Sequence, residues 1–159
     1  MNTIRGLLAW MLLVAMAGCS HAPARSTPPT ELAMSQSWSG DYPVAELGRL
    51  PAGQQHTPAG YLGSAAAFES VWAAFKPGEA LPAVDFGRQL VVFHRNVDFY
   101  NRTRIFKVTL RDGVAEVLAM ETLSATPVAD SVAMAMAVIP RANVKAIQAG
   151  TVRIPVRSE

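Results

Sequence analysis

The sequence predicts an α+β fold, in which one amphipathic helix packs on a mainly antiparallel sheet of four to five strands. Three observations support this fold class. Apolar residues recur at helical spacing in one stretch, at Phe68, Val71, Trp72 and Phe75. Strand-like stretches joined by hairpin-length links fill most of residues 89–156. One link is Asp112-Gly113, a dipeptide typical of tight hairpin turns, and a helix followed by consecutive antiparallel strands is the α+β pattern.

The first residues have the layout of a secretory signal peptide. Arg5 supplies one positive charge, and the stretch from Leu7 to Ala17 is uninterrupted apolar sequence. This stretch is shorter than the about 20 apolar residues that a helix needs to span a bilayer. We therefore expect residues 1–18 to be removed on export, which leaves 141 of the 159 residues.

Cys19 is the only cysteine, and it directly follows two small residues. An odd cysteine in an exported protein is a reactive thiol, half of an intermolecular disulfide, or a modified residue. The stretch Met16-Ala17-Gly18-Cys19 resembles the lipobox of bacterial lipoproteins. The resemblance implies that the leader is cut before Cys19, which carries a diacylglycerol and an acyl chain such as palmitate. The alternative is an ordinary cleaved signal peptide with an incidental cysteine.

The resemblance also predicts where the protein is located. Ser20 stands where aspartate would signal retention at the inner membrane. The implied location is the cell envelope, anchored by lipid to the periplasmic face of the outer membrane if the source has two membranes.

Residues 19–36 are polar, rich in proline and poor in residues that could be buried. We predict a flexible tether here, with a reach of roughly 20–25 Å for a coil of this length. Residues 37–159 are then a single globular domain, since the mature chain is long enough for one domain of ordinary size.

The first part of this domain predicts a strand, a loop and the helix. Alternation from Trp38 to Val44 indicates a first strand, and the glycines and prolines of 47–58 indicate a loop. Ser64 is a suitable N-cap for the helix, and Pro77-Gly78 ends it.

The strands of the second half differ in pattern. Gln89–His94 contains a short apolar run rich in β-branched residues, as expected of a buried central strand. Arg104–Arg111 alternates, which predicts that Phe106, Val108 and Leu110 share one face. After the Asp112-Gly113 turn, residues 114–122 return as the partner strand.

The last stretch of the chain contains a strand with two different faces. Residues 132–139 place valines and methionines on one face and alanines on the other. We expect the alanine face to admit the helix of Phe68 and Trp72. Val144–Gln148 is predicted to form a helical turn, and Thr151–Val156 a last strand.

Composition and motifs exclude several functions. The formal charge is +2, and +1 without Arg5, so we expect no nucleic-acid partner. His21, His56 and His94 lie far apart in sequence, so we expect no metal site and no cofactor. No hydrolase elbow, zinc-protease motif or phosphate-binding loop occurs. We therefore expect no catalytic residues and no enzymatic activity, with His94 as a structural histidine.

One segment, residues 94–104, combines arginines, asparagines and adjacent aromatics between two strong strands. Arginine and tyrosine are frequent at binding hot spots. The candidate binding surface is formed by Arg95, Phe99, Tyr100, Asn101, Arg102 and Arg104. The alternative is a long hairpin loop, with Phe99 folded onto the core and the arginines in solvent.

The region from Phe68 onward resembles the C-terminal domain of the PrcB family of protease-complex subunits. The resemblance is carried by Phe68-Glu69-Ser70-Val71-Trp72, Pro82-Ala83-Val84-Asp85-Phe86 and the strand Gln89–Phe93. It implies a non-catalytic partner of an exported protease, and it supplies no catalytic or binding residues.

The sequence thus predicts a lipid-anchored, non-enzymatic accessory or binding protein of the cell envelope. Its predicted partners are the membrane, through Cys19, and a protein, such as an exported protease. Two alternatives stay open: a small envelope hydrolase or inhibitor, and a structural lipoprotein that binds glycan or peptidoglycan.

Overall fold

The computed structural model describes residues 28–99, 102–122 and 127–157. The predicted leader, Cys19 and the first part of the tether lie outside the described residues. No helix in the described ranges has the length and apolar character needed to cross a membrane. The described elements are β1 (Thr30–Glu31), β2 (Gln36–Pro43), a 3-10 helix (Val44–Arg49), β3 (Ala59–Leu62), α1 (Ala65–Phe75), β4 (Gln89–Arg95), β5 (Thr103–Arg111), β6 (Val114–Glu121), β7 (Ser131–Pro140), β8 (Ala146–Ala149) and β9 (Val152–Pro155).

These elements form three layers. The four-stranded sheet has the strand order β2-β7-β4-β3, and the five-stranded sheet has the order β1-β5-β6-β8-β9. All strand pairs are antiparallel except β6 with β8. The sheet-rich α+β class is therefore confirmed. The prediction of one sheet with four to five strands is wrong, because the strands divide between two stacked sheets. The structure contains a 3-10 helix in addition to α1, so the prediction of a single helix is not confirmed.

Helix α1 begins and ends where local sequence places its caps. The Oγ atom of Ser64 accepts a hydrogen bond from the backbone N–H of Ala67 at 3.4 Å. The helix ends at Phe75, its C-cap Lys76 directly precedes Pro77-Gly78, and Gly78 has a positive φ of 82°. The predicted apolar face is buried and packs with one face of the four-stranded sheet.

The two faces of strand β7 contribute to two different cores, one between α1 and the four-stranded sheet and one between the two sheets. Val132, Met134, Met136 and Val138 pack with α1. Ala135 and Ala137 instead face the five-stranded sheet. The expectation that alanines would receive the helix is thus wrong. The sheets themselves bring large side chains into the space between them, and small alanines leave room for Leu90, Val92, Val108 and Val117.

The domain begins earlier than predicted. Strand β1, within the predicted 19–36 tether, pairs with β5 at Leu110 and Thr109. The chain then crosses between the sheets: Leu32 N–H donates to the Val108 carbonyl at 2.9 Å, and Ser35 N–H to the Val138 carbonyl at 3.0 Å. The described part of the predicted tether therefore already belongs to the folded domain, since residues 30, 31 and 36 lie in strands and Leu32 and Met34 pack against the core between the sheets.

The β5–β6 hairpin contains one irregularity. Its turn has positive φ at both central residues, 53° at Asp112 and 82° at Gly113, which confirms the predicted tight hairpin turn. The register shifts between Ile105 and Lys107. This bulge turns Phe106 outward, where 58% of the residue is exposed. The prediction that Phe106 shares the face of Val108 is wrong for that reason.

Two short strands were not predicted from the sequence. The predicted helical turn at Val144–Gln148 is wrong, because β8 lies parallel to β6 and antiparallel to β9 there. The Gly113 carbonyl accepts from the backbone N–H groups of Lys145 and Ala146, which places β8 in register. Strand β3 follows directly on the predicted loop and forms an edge of the four-stranded sheet. The predicted last strand is confirmed as β9.

Candidate functional site

The predicted binding segment connects β4, in one sheet, to β5, in the other. Arg102 and Arg104 are exposed, and Phe99 is 43% exposed while its backbone forms a bridge with Pro127. Tyr100 and Asn101 lie outside the described residues. The structure thus brings Arg102 and Arg104 together at the start of β5.

Arg95 does not belong to this exposed surface, which corrects the prediction. It is 2% exposed, because β4 continues one residue past His94 and directs Arg95 toward the helix side of its sheet. Its Nη2 donates to the carbonyl of Gln55, while its Nε has no hydrogen-bond partner among the described residues. Burial lowers the pKa of the Arg95 guanidinium, and the nearby Tyr42 acts in the opposite direction.

Sequence reasoning missed three apolar members of the exposed surface. Phe106, Leu118 and Met120 are 58%, 39% and 49% exposed. Met120 pairs in register with Arg104, whose Nη2 lies 3.6 Å from the Met120 sulfur. The available signal was that residues 117–120 are apolar at every position, more than a strand with one buried face needs. We call Arg102, Arg104, Phe106, Leu118 and Met120 the arginine–methionine surface.

A groove runs beside this surface, between β2 and the first half of β5. One cavity of about 410 Å³ in it is lined by Ser37, Trp38, Ser39, Arg104, Ile105 and Phe106. A second cavity, of about 350 Å³, shares Ser39 and Arg104 with the first and reaches Arg102 and Met120. None of the ion pairs in the described ranges involves Arg102 or Arg104. The groove therefore offers cationic and apolar contacts side by side.

Polar contacts hold the start of the β4–β5 connection. Asn96 Nδ2 donates to Glu121 Oε2 at 3.1 Å, and Asn96 Oδ1 accepts from the backbone N–H groups of Asp98 and Phe99 at 2.9 and 2.6 Å. His94 Nδ1 lies 3.6 Å from Glu121 Oε1. These contacts fix the position of the segment that leads to Phe99.

His94 lies at the end of β4, with 15% of its side chain exposed. Burial lowers the pKa of the imidazole, and the Glu121 carboxylate partly opposes that shift. Its Nδ1 and the Oγ1 of Thr103 are buried without a hydrogen-bond partner among the described residues. His94 is therefore held in the neutral form more strongly in the folded protein than in the unfolded chain.

This lowered pKa predicts how folding stability depends on pH. The unfolded chain binds a proton at His94 more readily, with an ordinary pKa of about 6.5. We therefore expect the His94 contribution to be fully favourable above that pKa and to be lost as pH falls through the lower folded-state pKa. Urea unfolding of the full chain at a series of pH values, for the parent and for His94→Gln, measures this difference.

His56→Gln is the matched control, because His56 is exposed. It should leave the pH profile of the free energy of unfolding unchanged, whereas His94→Gln should flatten its acid side. Parallel profiles for all three proteins would contradict the assignment.

The hydrolase alternative would pair His94 with a carboxylate such as Asp85 or Asp98, and neither forms a described ion pair with it. Asp85 is in an exposed turn, where its Oδ1 accepts from Gly87 N–H at 3.0 Å and its Oδ2 lies 3.7 Å from Arg88. Asp98 is exposed in the β4–β5 connection. Within the described ranges, no three histidine, cysteine or acidic residues are grouped to hold a metal.

Comparison with known protein families, curated proteins and solved structures returned no match. The lipobox at Cys19 and the resemblance to the PrcB family accordingly stay predictions from sequence.

Proposed function

We propose that this protein is a lipid-anchored, non-enzymatic accessory protein of the bacterial cell envelope, which binds a protein partner through the arginine–methionine surface. The observation that carries the proposal is the exposure of Phe106, Leu118 and Met120 beside two guanidinium groups outside any described ion pair. Contiguous exposed apolar side chains with a polar surround mark interaction sites. Arginine beside such anchors is typical of binding hot spots.

The support beneath this surface suits a binding role. Arg104 and Met120 are register partners on two long paired strands, and the inner faces of these strands are buried in the core between the sheets. A preorganised surface loses little conformational entropy when a partner binds. Phe106 projects because of a bulge, a feature that proteins use to redirect a side chain.

The identity of the partner is proposed on sequence grounds. The resemblance to the PrcB family favours an exported protease, for which this protein would be a non-catalytic subunit. The lipobox favours a site of action at the membrane, on the periplasmic face of the outer membrane where the cell has two.

Photo-crosslinking in the intact envelope tests the proposal. We expect a crosslinking amino acid at Phe106 or Met120 of the full chain to give the same discrete protein adduct. The control position is Glu69, which is exposed on α1, in the layer farthest from the surface. Equal adducts from all three positions, or no protein adduct from Phe106 and Met120, would contradict the proposal. Adducts that disappear after muramidase digestion would support the glycan-binding alternative instead.

Charge reversal gives a second test of the same surface. Arg102→Glu with Arg104→Glu should reduce recovery of the crosslinked partner by at least tenfold, since hot-spot arginines contribute about 2 kcal/mol or more each. Arg111→Glu with Arg153→Glu is the matched control, because both arginines are exposed on the same sheet but lie outside the surface. Equal losses in the two double variants would show a general charge effect and count against a specific surface.

A further inference from the structure

We infer that the partner binds by adding an extended strand to the free edge of β2, with acidic side chains directed at Arg102 and Arg104. This inference rests on the proposed function and specifies the form and charge of the segment that the surface receives. It follows from a comparison of the sheet edges and from the charges beside one of them.

Three of the four sheet edges are short or covered. Strand β1 has two residues, and β9 has four and ends in Pro155, which has no N–H to offer. Strand β3 also has four residues, and the buried Gln54 side chain covers it: Gln54 Oε1 accepts from Tyr61 N–H at 2.7 Å. These are ordinary ways in which proteins prevent pairing at a sheet edge.

Strand β2 is the exception among the described edges. It pairs with β7 in continuous register over eight residues, and no described strand pairs with its other side. From Gln36 to Tyr42 it contains no proline, lysine or arginine. Along Ser37–Gly40, alternate backbone N–H and C=O groups therefore point away from β7, as a template for another strand.

A cavity opens beside the first half of β2. Strand β1 reaches β5 only at Thr109 and Leu110, so the part of β5 from Thr103 to Phe106 has no described strand on that side. The 410 Å³ cavity lies between this part of β5 and Ser37–Ser39. A strand paired with β2 would contact Arg104 and Phe106 across the groove.

Charge complementarity identifies the occupant as acidic. The lining of the 410 Å³ cavity contains the guanidinium of Arg104 and no carboxylate. In the adjoining cavities, Arg102 and Arg104 accompany Glu121, and Arg102 also accompanies Asp41, whereas Arg104 shares the groove with the Glu121 carboxylate alone. The Glu121 carboxylate accepts from Asn96 and contacts His94. A bound acidic residue would supply the partner that the two arginines lack among the described ion pairs, and apolar residues between the acids would meet Phe106.

Three synthetic eight-residue peptides test the inference against the full chain in detergent micelles. The first alternates Glu and Val, the second alternates Lys and Val, and the third is the Glu–Val peptide with N-methyl groups on alternate residues. We expect the Glu–Val peptide to bind, and the other two to bind at least tenfold more weakly. The N-methylated peptide keeps every side chain but loses the backbone donors that strand addition needs.

Hydrogen exchange locates the added strand. The Glu–Val peptide should slow amide exchange within Ser37–Gly40 and leave β3 and β9 unchanged. Arg104→Glu should reduce the preference for Glu–Val over Lys–Val by at least tenfold, and Arg111→Glu should preserve it. Equal binding of the N-methylated peptide, protection at another edge, or no binding of the Glu–Val peptide would overturn the inference. Crosslinking from Phe106 and Met120 decides the proposed function independently of these peptides.

Discussion

Replacing Cys19 by serine is expected to abolish labelling of the protein by a fatty-acid probe, because a hydroxyl cannot form the thioether to diacylglycerol. Each buried CH₂ contributes about 0.8 kcal/mol, so a single acyl chain anchors weakly whereas two or more hold a protein firmly on the membrane. Metabolic labelling of the full chain, compared with Cys19→Ser, measures the effect, which should be complete.

Fractionation adds a second measurement once cleavage of the leader is controlled. In the Cys19→Ser variant, residues 1–18 are exchanged for an ordinary cleavable secretory leader, so that the chain is cut without lipid. This protein should be recovered in the soluble fraction, whereas the parent stays with membranes. Ser20→Ala in the parent is the matched control and should retain label and anchor. A label that persists in Cys19→Ser would contradict lipidation at this residue.

Gly60→Ala is expected to destabilise the folded domain by about 3 kcal/mol. A Cβ at this position would lie 2.1 Å from Gln54 Oε1 and 2.4 Å from Phe93 Cζ, far inside van der Waals contact. Phe93 is fully buried, so its ring has no room to withdraw. Overpacking costs about 1–3 kcal/mol. Displacing Gln54 would also leave the buried Tyr61 N–H unpaired, which costs about 1–3 kcal/mol.

Urea unfolding of the full chain measures this loss. Gly48→Ala is the matched control, because no heavy atom lies within 4 Å of its added Cβ and its φ is not positive. That variant should stay within about 0.5 kcal/mol of the parent. Coincident unfolding curves for the two glycine variants would show that the backbone of β3 moves freely away from Phe93, contrary to the packing described.

Features encoded within a few neighbouring residues could be predicted from sequence. Ser64 caps α1, and the Asp112-Gly113 turn joins β5 to β6, because a cap or a tight turn needs only local side chains and backbone angles. The buried character of β4 was equally clear from its unbroken apolar run.

Features that depend on the neighbouring layer could not be predicted. The alanine face of β7 fits either a helix or a second sheet, and only the position of the other strands decides between them. The segment 144–148 is too short to show whether its hydrophobic pattern has the helical or the strand period, so the pairing of β8 with β6 could not be predicted. The inserted residue of the bulge turns Phe106 to the opposite face of β5, and the hydrophobic pattern of the sequence does not show where such an insertion occurs.

The candidate site shows the same division. The exposure of Arg102 and Arg104 was predicted because both flank a polar connection between strong strands. The burial of Arg95 was not, since it depends on β4 extending one residue beyond the apolar run. Met120 belongs to the surface because it is the register partner of Arg104, and the register of two strands could not be predicted from the sequence.

The pairing of β1 with β5 shortens the distance over which the proposed anchor can hold the domain from the membrane. In the proposed lipid-anchored protein, only residues 19–29 separate the anchor from β1, and a coil of that length would reach roughly 17–20 Å, less than the 20–25 Å of the longer tether. The chain enters β1 at the end of β5 that carries Arg111 and the Asp112-Gly113 turn, where Pro29 lines a cavity with Arg111 and Asp112. The groove beside β2 lies at the other end of β5, at Arg104 and Phe106, so the lipid-anchored protein that we propose would hold its groove roughly 20 Å from the attachment point. A partner held at the same membrane would meet it by lateral diffusion in two dimensions.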